Sequence, residues 1–312
     1  MSHPRHEDEF FEASWEEWYQ LTPRERWRES RKLWEFYLAV GGSLDPEPDS
    51  QSPFDPDCPP RPVPADGWQA CVFYGAAEFS RDTDIVVLTT VENLRRLTAA
   101  LADLKAERIA VPPFDPEFLD RGHAVHFRCH HPDASGMRID VMSVLHGVAP
   151  FSALWQGRTS LELEEGVWIE LLALPDLVQA KKTQRAKDWP MIRRLVEANF
   201  RQHAENPSDE QIAFWLRECR TPAILRELAR QYPRATADAA DSRPLLALAR
   251  GDPSALTAAL DEEERQARAA DSQYWAPLRA ELEQLRFQAR AVPDAHVSDF
   301  LTARRRPGGG HC

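Results

Sequence analysis

Cysteine is scarce in this sequence, and the five cysteines that occur form no C-x-x-C pair. Their scatter and odd number provide no disulfide framework, which favours a reducing compartment. The first residues lack the apolar stretch of a signal peptide, and no run approaches the roughly 18 apolar residues that a membrane helix needs. We therefore expect a cytoplasmic protein that makes no membrane contact.

A positive net charge is also missing, because 38 lysines and arginines face 50 aspartates and glutamates and the formal charge is −12. This balance argues against broad, sequence-independent binding of nucleic acid. The Gly-x-Ser-x-Gly motif of a hydrolase does not occur. Hydrophobic residues make up 43% of the chain, which is enough for a sizeable core and excludes wholesale disorder.

Changes in composition divide the chain into five predicted regions. Prolines recur throughout residues 44–66 and exclude helix and central strand there, so this stretch predicts a linker. From about residue 206 onward the composition favours helices without a fixed repeat period, including segments 253–270 and 273–292, and Ser208 and Gln211 predict a capping box at the start of one helix. The regions are an N-terminal aromatic helical segment (1–43), the proline-rich linker (44–66), an α/β domain (67–203), a helical region (204–295) and a basic tail (296–312).

The first predicted helix is rich in aromatic residues. Thr22, Pro23 and Glu25 predict its start as the N-cap, the first-turn proline and the capping-box glutamate. The pair Gly41-Gly42 predicts its end. An apolar stripe on one face predicts core packing or a surface for a protein partner, with nucleotide stacking as a more distant interpretation. The stripe comprises Trp27, Leu33, Trp34, Tyr37 and Leu38.

Between residues 68 and 200, short apolar runs alternate with amphipathic segments, which predicts a mixed α/β (α+β) domain. We expect Asp188 to cap the last of its helices. The predicted strands are 68–74, 84–88, 107–111, 123–129, 136–144 and 167–173, and the predicted helices are 91–104, one starting near 175, and 189–200.

Three aspartates in this domain are candidate metal ligands. Asp82 and Asp84 lie one position apart where a turn runs into an apolar strand, so their carboxylates point to the same face. Asp140 lies in another apolar run and would supply a third carboxylate from a neighbouring strand. Such a cluster suits divalent metal and phosphate chemistry. The alternative is a strand-entry turn in which Asp82 and Asp84 only cap backbone groups.

Other residues are candidates for contacts with phosphate oxygens. Gly75 permits close approach of a ligand to the backbone, and Ser80 and Arg81 offer a hydroxyl and a guanidinium. In the basic stretch 174–189, Lys181 and Arg185 are four positions apart and would share a helix face. The alternative there is a solvated basic face that pairs with the acidic residues Asp176 and Asp188.

Together these motifs resemble the nucleotidyltransferase fold of the polymerase-beta superfamily, most closely its AbiEii-like and other minimal bacterial members. The resemblance covers about residues 68–200 and rests on the turn at Gly75, the D-x-D strand, the later Asp140 and the basic helix. Two departures are Gly75-Ala76, where the family has Gly-Gly or Gly-Ser, and a shorter spacer to Asp82.

The resemblance implies that Asp82 and Asp84 bind Mg²⁺ or Mn²⁺, and that Asp140 completes the site and helps to deprotonate an acceptor hydroxyl. Lys181 would contact a nucleoside triphosphate such as ATP, and pyrophosphate would leave. The acceptor could be tRNA, a protein or a small molecule, and AbiEii-like relatives act in toxin–antitoxin pairs.

Two rival interpretations remain open. A zinc site could involve His126, Cys129 and His130, but a strand would place Cys129 on the face opposite the histidines, so a strand with exposed histidines is favoured. The second rival is a catalytically inactive nucleotidyltransferase-fold scaffold. In that interpretation the aromatic N-terminal helix and the C-terminal helices bind another protein.

Overall fold

The computed structural model describes residues 15–42, 69–80 and 82–291, with side chains as far as residue 288. The chain divides into two compact units. One, here called the helical unit, comprises the described residues within 1–83 and 145–276, and the other, the sheet unit, comprises the described residues within 84–144 and 277–312. These boundaries differ from the predicted domains, because both units combine residues from distant parts of the sequence.

In the described residues helices and strands are interspersed up to residue 171, and helices alone follow as far as residue 291, as the sequence predicts for this region. Residues 15–20 are also helical. The strands are β1 (Asp82–Val86), β2 (Glu107–Arg108), β3 (Val125–Arg128), β4 (Arg138–Met142), β5 (Thr159–Glu164) and β6 (Val167–Leu171). The helices are α1 (Pro23–Ala39), α2 (Gln69–Phe73), α3 (Val91–Asp103), α4 (Pro116–Asp120), α5 (Phe151–Gly157), α6 (Leu174–Ala180), α7 (Asp188–His203), α8 (Asp209–Glu218), α9 (Pro222–Gln231), α10 (Pro233–Ala240) and α11 (Pro253–Ala291), with 3-10 turns at Pro132–Ala134 and Pro244–Leu248.

Helix α1 begins as predicted, because Thr22 and Glu25 form a reciprocal capping box. The predicted apolar stripe is only partly buried. Trp27 stacks on Phe73 with ring centroids 5.4 Å apart, which confirms a packing role. Leu33 and Leu38 are exposed, so they do not share this core packing, and their predicted role as a surface for a protein partner remains a prediction. The helix packs through a narrower face than the sequence suggests.

The predicted strand at residues 68–74 is wrong, because the chain forms the short helix α2 there. Its three consecutive buried residues, Cys71, Val72 and Phe73, make an apolar run whose periodicity cannot separate strand from helix. Gly75 ends the helix with a φ of +88°, a left-handed conformation that favours glycine. The Ala76 amide then donates to the Cys71 carbonyl at 2.8 Å.

The sheet unit is built on a four-stranded sheet in the order β1-β4-β3-β2. Strands β3 and β4 are antiparallel. Helix α3, which the sequence predicts within one residue at its C-terminal end, contributes Leu101 to a core on one side of the sheet. Alternate strand residues face this core, so the residues between them face the other way. The core-facing strand residues are Ile85, Val87, Val125, Phe127, Ile139 and Val141.

The helical unit contains the antiparallel pair β5 and β6, of which β5 is absent from the predicted elements. Its helices share a core that includes Leu177, Ile192 and Trp215, all fully buried. Ser208 and Gln211 form the predicted capping box at the start of α8. The two helices predicted at 253–270 and 273–292 are a single helix, α11, with Pro277 inside it.

Three cysteines are described, and each is buried and outside any disulfide among the described residues. Cys71 and Cys219 belong to the helical unit, and Cys129 belongs to the sheet unit. Burial raises the pKa of the Cys219 thiol to about 12. No helix in the described part of the chain combines the length and the apolar character needed to cross a membrane.

Candidate functional site

Polar side chains occupy the face of the sheet that points away from the α3 core. Asp84 precedes the core-facing Ile85 on β1, and Asp140 lies between two core-facing residues on β4. Because side chains alternate along a strand, both aspartates belong to this second, polar face. Strands β1 and β4 are neighbours in the sheet. Two of the three predicted metal ligands therefore share a face on adjacent strands of the sheet unit.

Asp140 is held by two nitrogen-bearing side chains on the same face. Arg138, two residues earlier on β4, donates from Nε to the Asp140 Oδ1 at 2.7 Å. His126 is directly opposite on β3, and its Nδ1 lies 2.8 Å from the same oxygen. The Nη2 of Arg138 is also 3.0 Å from Nδ1 of His126. A protonated Nδ1 donates to Asp140, whereas an unprotonated one accepts from Arg138.

These partners keep Asp140 ionised although it is buried. Burial alone would raise the pKa of the Asp140 carboxyl, but the charges and hydrogen bonds of His126 and Arg138 outweigh it and lower the pKa to about 2. An ionised carboxylate is what a metal ligand requires. The same two partners, however, already neutralise the charge that would attract a metal ion.

The resemblance implies that Mg²⁺ or Mn²⁺ binds to these carboxylates. In residues 15–42, 69–80 and 82–291, no three or more histidine, cysteine, aspartate or glutamate side chains form a group that could hold a metal ion. Asp82, Asp84 and Asp140 are therefore not grouped as a three-ligand site in this part of the chain. Their role as metal ligands remains a prediction.

Asp82 begins β1 and belongs to the helical unit, where its side chain is buried. The Ser80 hydroxyl donates to the Asp82 carbonyl at 2.7 Å and lies 3.2 Å from its Oδ1. This local hydrogen bond is the kind that a strand-entry turn makes, and it engages the hydroxyl that was predicted to contact phosphate. The Asp82 and Ser80 site therefore favours the turn interpretation over the phosphate-binding one.

Gly75 is approached by a protein side chain. A Cβ at this position would lie 3.0 Å from Cζ of Arg26. The buried Arg26 guanidinium donates to the carbonyls of Phe73, Tyr19 and Trp18. The glycine thus admits an arginine that binds the end of α2, and its predicted contact with a nucleotide remains a prediction. Arg81 lies outside the described residues.

The predicted helix through Lys181 and Arg185 is wrong. Helix α6 ends at Ala180 and α7 starts at Asp188, so the two basic residues share no helix face. Asp188 draws the connection into a turn, because its Oδ2 accepts from Nε of Arg185 at 2.8 Å and from the Thr183 hydroxyl. Its Oδ1 lies 3.9 Å from Nζ of Lys181. The prediction that Asp188 caps α7 fails, since no side-chain cap bond is made there.

Burial decides the roles of these basic residues. Lys181 is fully buried and Asp188 is 1% exposed. The proposed pairing with Asp188 is therefore confirmed, but it occurs in the interior of the helical unit and not on a solvated face. A nucleotide phosphate could reach Lys181 only after the surrounding helices separate, so a phosphate contact by Lys181 or Arg185 stays a prediction that this packing disfavours.

The candidate zinc ligands lie as the strand pattern predicts, with one correction. Cys129 packs in the apolar core whereas His126 belongs to the polar face, so they point to opposite sides of the sheet. His130 is exposed, and its Nε2 lies 3.6 Å from Glu107. The expectation that His126 is exposed is wrong, because Arg138 and Asp140 cover it.

Sequence reasoning missed Arg138 and His126 as partners of Asp140. The signal for Arg138 was present, because it lies two residues before Asp140 on a predicted strand and so shares its face. The pairing with His126 depends on the register of β3 and β4, which the sequence does not specify. No protein-family model, curated protein or solved structure matches this chain.

Proposed function

We propose that the chain is a metal-dependent nucleotidyltransferase that moves a nucleotidyl group from a nucleoside triphosphate to an acceptor hydroxyl and releases pyrophosphate. The observation that supports it is the position of Asp84 and Asp140 on one face of adjacent strands. Neighbouring carboxylates repel each other unless a cation lies close by. The resemblance to AbiEii-like proteins adds the third ligand, Asp82, and a toxin–antitoxin role.

The ion pairs of Asp140 set a condition on this activity. Arg138 and His126 both contact Oδ1, so a metal ion would bind through Oδ2 or would replace one of these protein partners at Oδ1. Release of Arg138 would also free its guanidinium, which is suited to binding a phosphate oxygen. A triphosphate that arrives with its metal ion would supply both partners of this exchange.

The same ion pairs favour a second candidate, the inactive scaffold that binds a protein partner. If the network of Arg138, Asp140 and His126 is permanent, it stabilises the pairing of β3 with β4, and the polar face has a structural role. A protein partner would then use other surfaces, such as α1, where Phe36 and Val40 are more than half exposed.

Incubation with labelled nucleoside triphosphates, Mg²⁺ or Mn²⁺ and a cell extract tests the proposal. We expect pyrophosphate release and labelling of one acceptor, whether RNA, protein or small molecule. Asp82→Ala, Asp84→Ala and Asp140→Ala should each reduce the rate by about a hundredfold or more. Asp103→Ala is the matched control, since Asp103 is an exposed aspartate of the same unit. If no triphosphate labels any acceptor, the proposed nucleotidyltransferase activity is contradicted.

Arg138→Gln separates the two candidates by a measurement that needs no substrate. Glutamine removes the positive charge that competes for Asp140, so an enzyme with a latent metal site should bind Mn²⁺ several-fold more tightly, measured by calorimetry or electron paramagnetic resonance. The scaffold predicts no Mn²⁺ binding in either protein. If the protein is a scaffold, we expect Arg138→Gln to lower the free energy of unfolding and to have no other effect.

A further inference from the structure

A second histidine–carboxylate pair lies in the helical unit. Nδ1 of His146 is 2.8 Å from Oδ1 of Asp271, which is a residue of α11. The same oxygen accepts from Nε1 of Trp275 at 3.0 Å, and Oδ2 accepts from the backbone amide of Gln184 at 2.7 Å. Both carboxylate oxygens are thus occupied by donors, and the side chain of Asp271 is 3% exposed.

This arrangement assigns the two ring nitrogens of His146 different roles. Asp271 can only accept, since its backbone and indole donors fix it as a carboxylate, so Nδ1 of His146 carries a proton. Nε2 of the neutral ring then carries the free electron pair. The His146 side chain is 35% exposed, and no other described residue hydrogen-bonds its ring. The Nε2 edge is the one that remains for a ligand.

The ring is also held in a fixed plane. Tyr274 stacks on His146 with centroids 3.7 Å apart and planes inclined by 10°. A π-face against the imidazole and a carboxylate at Nδ1 both favour positive charge that develops on the ring during a reaction. Position, tautomer and charge compensation are the three features that distinguish a nucleophilic histidine from an ordinary surface one.

The surrounding charges indicate which electrophile the pair would accept. Two basic residues next to Gln184, the residue whose backbone amide binds Asp271, are engaged: Arg268 donates to the Gln184 carbonyl at 3.0 Å, and Lys182, two positions earlier in the chain, pairs with Glu218 at 2.6 Å. A phosphoryl group would bring negative charge towards the Asp271 carboxylate, and these two cations already have acceptors. The side-chain amide nitrogen of Gln184, whose backbone amide binds Asp271, is buried and has no hydrogen-bond partner among the described residues. Neutral donors of this kind suit a carbonyl oxygen.

We propose that His146 and Asp271 form a nucleophilic dyad that reacts through Nε2 with neutral acyl groups such as carboxylic esters. Nε2 supplies the electron pair for a bond to the carbonyl carbon, and the bond from that carbon to the leaving oxygen breaks. The product is an acyl-imidazolium, whose charge faces Asp271, together with the alkoxide or phenolate. Water then attacks the acyl carbon and releases the carboxylic acid, a proton and the original imidazole.

Hydrolysis of para-nitrophenyl acetate by the full-length chain tests the dyad, with nitrophenolate release as the readout. His146→Asn retains a donor for Asp271 but lacks the nucleophile, and we expect it to lower the rate about tenfold or more. Asp271→Asn should lower it several-fold. His130→Asn is the matched control, because His130 is an exposed histidine without a buried carboxylate partner. It should leave the rate unchanged.

A direct map of reactivity gives a readout that is independent of turnover. Diethyl pyrocarbonate acylates unprotonated imidazole, and mass spectrometry can follow the reaction at each histidine. His146 should react faster than His130 in the wild type and lose that advantage in Asp271→Asn. Equal reactivity of the two histidines, or equal ester hydrolysis by His146→Asn and the wild type, would overturn the proposal. Since no triphosphate or metal is involved, these results are independent of nucleotidyl transfer.

Discussion

Asp140 in the sheet unit and Asp271 in the helical unit are both buried, and each binds Nδ1 of a histidine, yet their other partners differ. Asp140 meets the guanidinium of Arg138, whereas Asp271 meets a backbone amide and an indole, which are neutral. The histidines differ as well. His126 is 9% exposed beside Asp140, and His146 is 35% exposed beside Asp271.

The difference shows that the role of a histidine–carboxylate pair depends on the other partners of the carboxylate. A guanidinium neutralises Asp140 and encloses its histidine, so the pair is stable as it stands and reactive only if a partner leaves. Neutral donors leave Asp271 with its negative charge, and this charge acts on the partly exposed ring of His146. Mutations that alter these partners should therefore separate the structural pair from the reactive one.

The largest effect is expected at a third buried carboxylate, Asp188, which has cationic partners as Asp140 does. Asp188→Ala removes a buried carboxylate that lies 3.9 Å from Nζ of the buried Lys181 and that pairs with Arg185, so the free energy of unfolding should fall by about 3–5 kcal/mol. Asp209→Ala is the control, because Asp209 is likewise the first residue of its helix but is exposed. Urea unfolding measures both. A similar loss in the two variants would mean that the helix start, and not the buried charge, is responsible.

Acid should weaken the Asp140 pair in a defined window. Its pKa is lowered from 3.8 to about 2 in the folded chain, so its contribution is complete at neutral pH and is lost as the pH falls through that interval. The contribution amounts to about 2 kcal/mol. Urea unfolding of the wild type and of Asp140→Asn should show a stability difference that narrows only below about pH 4. A difference independent of pH would remove the ionic explanation.

Asp271→Asn should cost less, about 1–2 kcal/mol, because only neutral donors and one histidine lose their acceptor. Asparagine retains one carbonyl oxygen, but its amide group faces a donor and leaves that donor unsatisfied. Urea unfolding at neutral pH provides the measurement. A loss as large as that of Asp188→Ala would mean that Asp271 also depends on a cationic partner. It would contradict the distinction drawn between Asp271 and the carboxylates that bind cations.

The smallest change in stability is expected for His146→Asn. The asparagine amide can still donate to Asp271, so the free energy of unfolding should change by less than about 1 kcal/mol. His126→Asn in the sheet unit should lose more, because His126 is enclosed. Thermal and urea unfolding of both variants measure this order. The reverse order would identify His146 as structural.

The predictions that rest on residues close together in the sequence are confirmed. Both capping boxes, at Thr22 and Ser208, are formed, because their hydrogen bonds depend on residues three positions apart. Helix α3 is confirmed for a related reason, since its leucine spacing is regular over three turns. The mixed α/β class follows from the same alternation of strand and helix patterns.

The features that the sequence did not predict correctly depend on residues far apart in the chain. Helix α2 replaces a predicted strand because a continuous apolar run carries no period and Arg26 stabilises its end from another segment. The chain turns after Lys181 because the Asp188 carboxylate accepts a hydrogen bond from Arg185, and this interaction outweighs continuation of the helix. The partners of Asp140 depend on strand register, and the contact between His146 and Asp271 spans 125 residues. Such contacts leave no local pattern.

The buried thiols make the two units separately observable. A thiol reagent can reach Cys129 only when the sheet unit opens, and Cys71 or Cys219 only when the helical unit opens. With Cys58→Ser and Cys312→Ser in place, pulse labelling followed by mass spectrometry would yield one opening rate for each unit. The chain thus carries native reporters of whether its units unfold together or in sequence.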